Sequence, residues 1–170
     1  MNVTYWGIAE AAELTDLYNE QITYQPYCFP VSPEEFESSV RFRAWEETPH
    51  PNLSTEKLIV GEQQGTIAGF AHVALASADE SASEDMGLIR FLTYPPGNRA
   101  VGQAILELVE TYLREMDIHK VRAFSHGHGY RFHRHENPPV TERIGHVRAL
   151  LGFNSYRLSA WDDGYPVSWF

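Results

Sequence analysis

Hydrophobic and polar positions along this chain repeat with two periods, and each period marks an element. The strongest signal runs through "RAVGQAILELVETYLREM", residues 99–116. Val101, Ala104, Ile105, Leu108, Val109, Tyr112, Leu113 and Met116 recur at steps of three and four, while Glu107, Glu110, Arg114 and Glu115 fall elsewhere. That spacing predicts an amphipathic helix with one apolar face. "AEAAELTDLYNEQI" repeats the pattern through Ala12, Leu14, Leu17, Tyr18 and Ile22. "SPEEFESSVRFRAWEE" predicts a second helix with a defined start. Ser32 caps it, Pro33 suits the first helical position, and Glu35 completes a capping box. "VTERIGHVRALLGF" predicts a late helix that ends at Gly152 as its C-cap.

Strand-like patterning fills the gaps. "VTYWG", residues 3–7, predicts a short first strand. "KLIVGEQQGTIAGFAHVAL" predicts two strands, 57–62 and 66–75, joined by a turn at Gln63, Gln64 and Gly65. "MGLIRFLTY" (86–94), "KVRAFS" (120–125) and "NSYRLSAW" predict three more. The resulting order is mixed α/β. The strand, tight turn, helix and strand between 86 and 125 predict a right-handed crossover. Between "KVRAFS" and the late helix lies a 14-residue irregular segment, "HGHGYRFHRHENPP". Such insertions in compact domains tend to be functional. The ending "DDGYPVSWF" reads as a linker or arm.

Composition narrows the function classes. The 170 residues fit one domain with a substantial core. The formal charge is −10, from 13 Lys+Arg against 23 Asp+Glu. That field disfavours nucleic acid and anionic membranes as partners. "YRFHRHE" interleaves aromatic and basic residues, but the strip is short and sits in an acidic chain. "ASADESASED", residues 76–85, reads as a solvated acidic loop. Trp6, Trp45 and Trp161 read as core or interface aromatics. No apolar run approaches the roughly 20 residues of a membrane span. The N-terminus lacks the basic and apolar regions of a signal peptide. The single cysteine, Cys28, cannot form an internal disulfide, so a cytoplasmic location is expected.

The chemistry is concentrated in "TYPPGNRAVGQAIL". A helix N-terminus presents unpaired N–H groups and a partial positive charge. Gly102 and Ala104 remove bulk there, and Arg99 adds a charge. Amides from Arg99 to Ala104 can therefore converge on a pyrophosphate. There is no GK[ST] of a P-loop and no G-x-G-x-x-G fingerprint. Close helix–sheet packing explains the same small residues, and spacing alone leaves both readings open.

"RAVGQA" resembles the R/Q-x-x-G-x-G/A motif of GNAT acyltransferases, the general-control-related N-acetyltransferase superfamily. "LYNEQ", "LIVGEQQGTIAGFAHV", "FLTYPPGNRAVGQAIL" and "VRALLGFNSYRLSAW" fall in that family's order. The resemblance covers about residues 1–162 and leaves 163–170 as a tail. It implies a mixed, largely antiparallel sheet, splayed between its fourth and fifth strands and flanked by helices. It implies acetyl-CoA, or another acyl-CoA, as co-substrate. Arg99, Ala100, Val101, Gly102, Gln103 and Ala104 would hold the pyrophosphate. Leu92, Thr93 and Tyr94, where the strand bulges away from its neighbour, would pair with pantetheine and polarise the thioester carbonyl. "KVRAFS" would form the other wall of the opening. The implied reaction is acyl transfer to an amine, here expected on a small molecule.

The proton-transfer residues stay unassigned. The family often places a tyrosine acid four residues before the glycine of L-G-F, and here that position is Arg148. An arginine cannot donate a proton at neutral pH, although it can stabilise a thiolate. Tyr130 and Tyr156 are the stand-ins. His126, His128, His133 and His135 form H-x-H pairs able to bind zinc or nickel. Their spacing matches no established motif, so no metal is expected; His126 and His128, with Tyr130 and Arg148, are read as substrate contacts, and a polar loop or interface segment is the alternative reading of the histidines. A rival reading is a catalytically degenerate domain that binds acyl-CoA or a partner, favoured by Arg148 and by the tail. A strand-like tail would also suit a homodimer.

Overall fold

The computed structural model describes residues 2–6, 11–23, 29–40, 53–77, 85–124, 130 and 144–157. Among the described residues nine elements follow one another: β1 (Asn2–Trp6), α1 (Ala11–Ile22), α2 (Pro33–Val40), β2 (Leu53–Gln63), β3 (Thr66–Ala76), β4 (Met86–Thr93), α3 (Arg99–Glu115), β5 (Val121–Ala123) and α4 (Gly145–Phe153). The five strands form one sheet in the order β1-β2-β3-β4-β5. Neighbours among β1 to β4 are antiparallel, and β5 runs parallel to β4. Gln63 pairs with Thr66, so Gln64 and Gly65 alone make the hairpin turn. Both are left-handed, with φ of 55° and 79°, as a two-residue primed turn requires.

Alternation along β3 separates the two faces of the sheet. Phe70 points to α2, where its ring meets Phe36 edge-on. Gly69, one residue earlier, lies under Ile105 of α3. Tyr18 of α1 packs on Phe36 and on Phe91 of β4. Thus α1 and α2 cover one face through aromatic rings and α3 covers the other. The α3 side is tight: a Cβ at Gly61 would stand 3.0 Å from Ile105, and one at Gly87 would stand 2.8 Å from Leu113.

Several helix boundaries differ from those the sequence predicts. In α1, Ala11 is buried and Ala12 exposed. In α3, Leu106 joins the core, whereas Met116 is 43% exposed. Gly152 does not end α4. The helix continues to Phe153, with Asn154 as C-cap and Ser155 left-handed at φ 69°. Ser155 N–H donates to Gly152 O and Tyr156 N–H to Leu151 O, a Schellman closure built without glycine. The Asn154 side chain also donates to Leu150 O, which satisfies a further end carbonyl. Of the last predicted strand, Asn154 and Ser155 belong instead to the turn that closes α4, and residues 158–161 lie outside the described residues, as do Trp45, Trp161, Cys28 and the tail.

Among the described residues strand β5 is short. Pairing covers Gly87–Val121, Leu88–Arg122 and Ile89–Ala123. Phe124 N–H then donates to Ile89 O at 2.8 Å, and Phe124 itself is left-handed at φ 56°. The β3–β4 register slips at this level: Val73 faces Ile89 while His72 faces Phe91, leaving Arg90 as the extra residue of a bulge. Residues Arg90 to Thr93 continue past the last β5 pair.

Candidate active site

Between β4 and α3 the chain reverses in four residues. Asn98 N–H donates to Pro95 O, with Pro96 and the left-handed Gly97 (φ 85°) at the corners of a type II turn. Asn98 is the N-cap of α3, yet its side chain makes no cap bond and donates instead to Gln63 Oε1 at 2.9 Å. Val101 and Gly102 N–H both reach Asn98 O. The amides of Arg99 and Ala100 precede any helical acceptor, so they are the donors this end offers to a ligand. Arg99 is exposed, and its guanidinium lies 4.3 Å above the Phe153 ring.

The small residues of this turn serve packing. A Cβ at Gly102 would lie 2.4 Å from the Tyr94 ring. Tyr94 O–H donates to His146 O at 2.7 Å, and His146 Nε2 donates to Tyr94 O at 2.8 Å. The rings meet edge-on at 4.8 Å. This reciprocal clamp joins the end of β4 to the start of α4. Burial lowers the pKa of His146, against a smaller opposing effect of its bond to the Tyr94 carbonyl. Burial raises the Tyr94 hydroxyl, against the Arg99 charge. Gln103 makes a second clamp by exchanging two amide bonds with Asn154, at 2.9 and 3.0 Å.

Beside the first clamp opens a cavity of about 560 Å³. Leu17, Glu20 and Gln21 of α1 form one wall, Thr93 to Pro96 the floor, and Ile144 and His146 the other wall. Thr93 is 1% exposed, and its hydroxyl, like Gln21 Nε2, is buried without a hydrogen-bond partner among the described residues. The cavity is mostly apolar, with Glu20, Gln21 and His146 among the polar residues on its walls, the usual make-up of a small-ligand site.

A second polar cluster lies under α1 and α2. His72 is fully buried on β3. Its Nε2 stands 3.0 Å from Glu56 Oε2 and its Nδ1 3.0 Å from the Tyr130 hydroxyl. Arg90 stacks over the Tyr130 ring at 5.0 Å. Burial, then the Arg90 charge, hold His72 well below its ordinary pKa. Burial likewise pushes the Tyr130 hydroxyl far above its own, against the Arg90 charge. The carboxylate at Nε2 fixes the tautomer: Nε2 carries the hydrogen and Nδ1 accepts from Tyr130.

The residues singled out from sequence therefore fall into three places. Thr93 and Tyr94 line the cavity, and Leu92 is fully buried beside them. Arg99 to Ala104 form the first turns of α3, as expected, with Val101 and Gly102 buried. Tyr130 sits in the aromatic core and Arg148 half-buried on α4, neither lining the cavity. His126, His128, His133 and His135 lie outside the described residues. Among the described residues no three metal-ligating side chains come together. Nor is any described helix long and apolar enough to cross a membrane. Sequence reasoning missed His146, Glu20, Gln21 and the Glu56–His72 pair. His72 carried a signal: it is the one strongly polar residue in "GFAHVALA".

No protein-family model and no curated protein matches the chain. Solved structures do. A ribosomal-protein-alanine N-acetyltransferase from Brucella melitensis superposes with a TM-score of 0.63 at 13% identity, over 99% of this chain and 96% of that one. A Clostridium acetobutylicum protein described as a predicted acetyltransferase, solved with acetyl-CoA, gives 0.63 at 14%, over 95% and 94%. A GCN5-related glucosamine N-acetyltransferase region of a fungal multi-domain β-N-acetylglucosaminidase gives 0.64 at 14%, over 94% of this chain and 17% of that one. The chain has the fold of the GNAT acetyltransferases.

Proposed function

We propose that this chain is an acyl-CoA-dependent N-acyltransferase, carrying an acyl group from acetyl-CoA or a similar thioester to the amine of a small molecule. The observation that carries this reading is the junction of a helix N-terminus without a side-chain cap and a largely apolar cavity at the end of β4. An anionic pyrophosphate fits the Arg99 and Ala100 amides and the Arg99 charge. The acyl-pantetheine arm fits the cavity, against Leu92, Thr93 and Tyr94. When bound, the thioester supplies an activated acyl carbon. The protein's part is to hold it in line with the amine and to exclude water. The solved relatives act on different amines by their descriptions, and this chain's acceptor is read no further than a small-molecule amine. The single Cys28 and the acidic charge suit a cytoplasmic enzyme.

Titration calorimetry of acetyl-CoA tests this. Wild-type protein should bind it, and Arg99→Glu should weaken binding by about tenfold or more, the size of a lost charge-assisted contact. Folding should be unaffected, because Arg99 is exposed. Absence of binding by the folded wild-type protein, with free CoA also silent, sinks the proposal.

A further inference from the structure

The cavity beside the Tyr94–His146 clamp has a largely apolar lining and, among the described residues on its walls, a single formal charge. Leu17, Pro95, Pro96 and Ile144 supply hydrocarbon. The titratable members are Glu20, Tyr94 and His146. Burial raises the pKa of the Tyr94 hydroxyl and lowers that of His146, so neither carries a charge at neutral pH. That leaves the Glu20 carboxylate. Glu20 stands in the last turn of α1, where the helix carbonyls already present a partial negative charge. Asp16 lies one turn before it, at the i, i+4 spacing that sets like charges against each other, and both are exposed. No lysine or arginine occurs in α1 to offset them. For the helix by itself, a carboxylate is an unfavourable choice at this place. A cation beside Glu20 meets attraction from the carboxylate, from Asp16 and from the helix end together. The site is therefore opposite in sign at its two ends. Arg99 begins α3, over one face of the sheet, and Glu20 belongs to α1, over the other. Tyr94 lies between them: it lines the cavity with Glu20, and its hydroxyl is within the field of Arg99.

From this arrangement we infer that the acceptor is a diamine or polyamine, a primary amine whose hydrocarbon stem ends in a second ammonium group, and that Glu20 holds that second ammonium. The inference rests on the acyltransferase reading above. The pyrophosphate belongs to the Arg99 end and the acceptor's cation to the Glu20 end. The stem lies on Leu17, which is three residues before Glu20 and so on the same side of α1. The reacting nitrogen, at the other end of the stem, enters neutral and bonds to the thioester carbon as the C–S bond breaks. The proton that this nitrogen loses is matched by the one that the CoA sulfur gains, and the products are the amide and free CoA. An acceptor with a carboxylate in place of the second ammonium is repelled by Glu20, by Asp16 and by the formal charge of −10. An acceptor with a methyl group there gains nothing from Glu20. The residue thus sets specificity through a difference of affinities, part attraction and part repulsion.

The test uses Glu20→Gln and Glu20→Lys in the full chain. The probe amines are 1,5-diaminopentane, hexylamine and 6-aminohexanoate, which share one methylene stem and end in an ammonium, a methyl and a carboxylate. Transfer from acetyl-CoA is read as free-thiol release, and calorimetry with acetyl-CoA runs beside it. In the wild-type protein kcat/KM should fall in the order 1,5-diaminopentane, hexylamine, 6-aminohexanoate. Glu20→Gln should lower the ratio of diamine to hexylamine about tenfold, the size of a hydrogen bond to a charged group, with the loss falling on KM. Glu20→Lys should place 6-aminohexanoate above the diamine. Glu20 is exposed, so both variants should fold, which circular dichroism checks. A carboxylate that held the reacting nitrogen instead would be felt by all three probes alike. The same ratio in the wild type and Glu20→Gln therefore overturns the inference and leaves the acyltransferase reading standing. So does acetyl-CoA binding without thiol release to the diamine. Failure of the wild-type protein to bind acetyl-CoA overturns both.

Discussion

Gly102 shows how one position joins packing to chemistry. In a helix interior, Gly→Ala ordinarily gains up to about 1 kcal/mol. Here a Cβ would stand 2.4 Å from the Tyr94 ring. Tyr94 cannot yield easily, because His146 holds it at both its hydroxyl and its carbonyl. Gly102→Ala should therefore destabilise, by about 1–3 kcal/mol for overpacking, and a denaturant melt checks the sign. His72 makes the second residue-scale prediction. Its folded pKa lies well below the ordinary value. The unfolded chain thus binds the proton more readily, and stability rises with pH through this window. The contribution is complete above about pH 6.5, the unfolded histidine value, and is lost as pH falls below it. His146 is shifted the same way, more weakly placed in half-buried surroundings. Melting temperatures of wild type and His72→Gln between pH 7 and pH 5 should differ in slope, the variant falling less. Parallel slopes would mean that His72 is not held neutral.

At the scale of elements, legibility followed how local the cause was. The capping box of α2 was readable because its partners are three residues apart. Glu35 N–H donates to Ser32 Oγ at 3.2 Å, and Ser32 N–H to Glu35 Oε2 at 2.8 Å. Ser32→Ala should cost about 1 kcal/mol, and circular dichroism of thermal unfolding measures it. The end of α4 was misread for the same reason in reverse. "LGF" offers a glycine, but Asn154 is fixed by Gln103, 51 residues away, and carries the cap instead. The 3.6-residue period located α3 well, yet it placed Met116 on the apolar face. The helix closes there through Ile118 N–H to Leu113 O, and Ile118 takes the buried place. The motif turn was legible as a place, since its prolines and glycines are local. Its partners were not: the Tyr94–His146 clamp spans 52 residues and the His72–Tyr130 bond 58. Nor does any local pattern announce a bulge at Arg90, which exists only in relation to β3.

The whole molecule is a sheet whose two faces do different work. The α3 face is packed so closely that three strand glycines, Gly61, Gly69 and Gly87, have no room for a Cβ without displacing a neighbour. The other face holds rings and the buried polar chain, and the cavity lies at the end of β4 that leads into the turn before α3. A ligand that pairs with β4 and lies on the α3 N-terminus would bridge β4, α1 and α4. Acetyl-CoA should therefore stabilise the whole fold by mass action, by about 2.7 kcal/mol at a free concentration 100 times Kd. The melting temperature should rise with ligand concentration, by several degrees for a domain of this size. The rise should shrink as salt is added, because part of the affinity comes from Arg99 and the helix end acting on an anion. Because the protein itself carries a formal charge of −10, low salt also strengthens its general repulsion of an anionic ligand. The two effects have opposite signs, and Arg99→Glu separates them: it removes the local attraction and adds to the general repulsion. If the local site governs, added salt weakens binding to the wild type and strengthens what remains in the variant. The same sign of salt dependence in both proteins would mean that the pyrophosphate lies elsewhere.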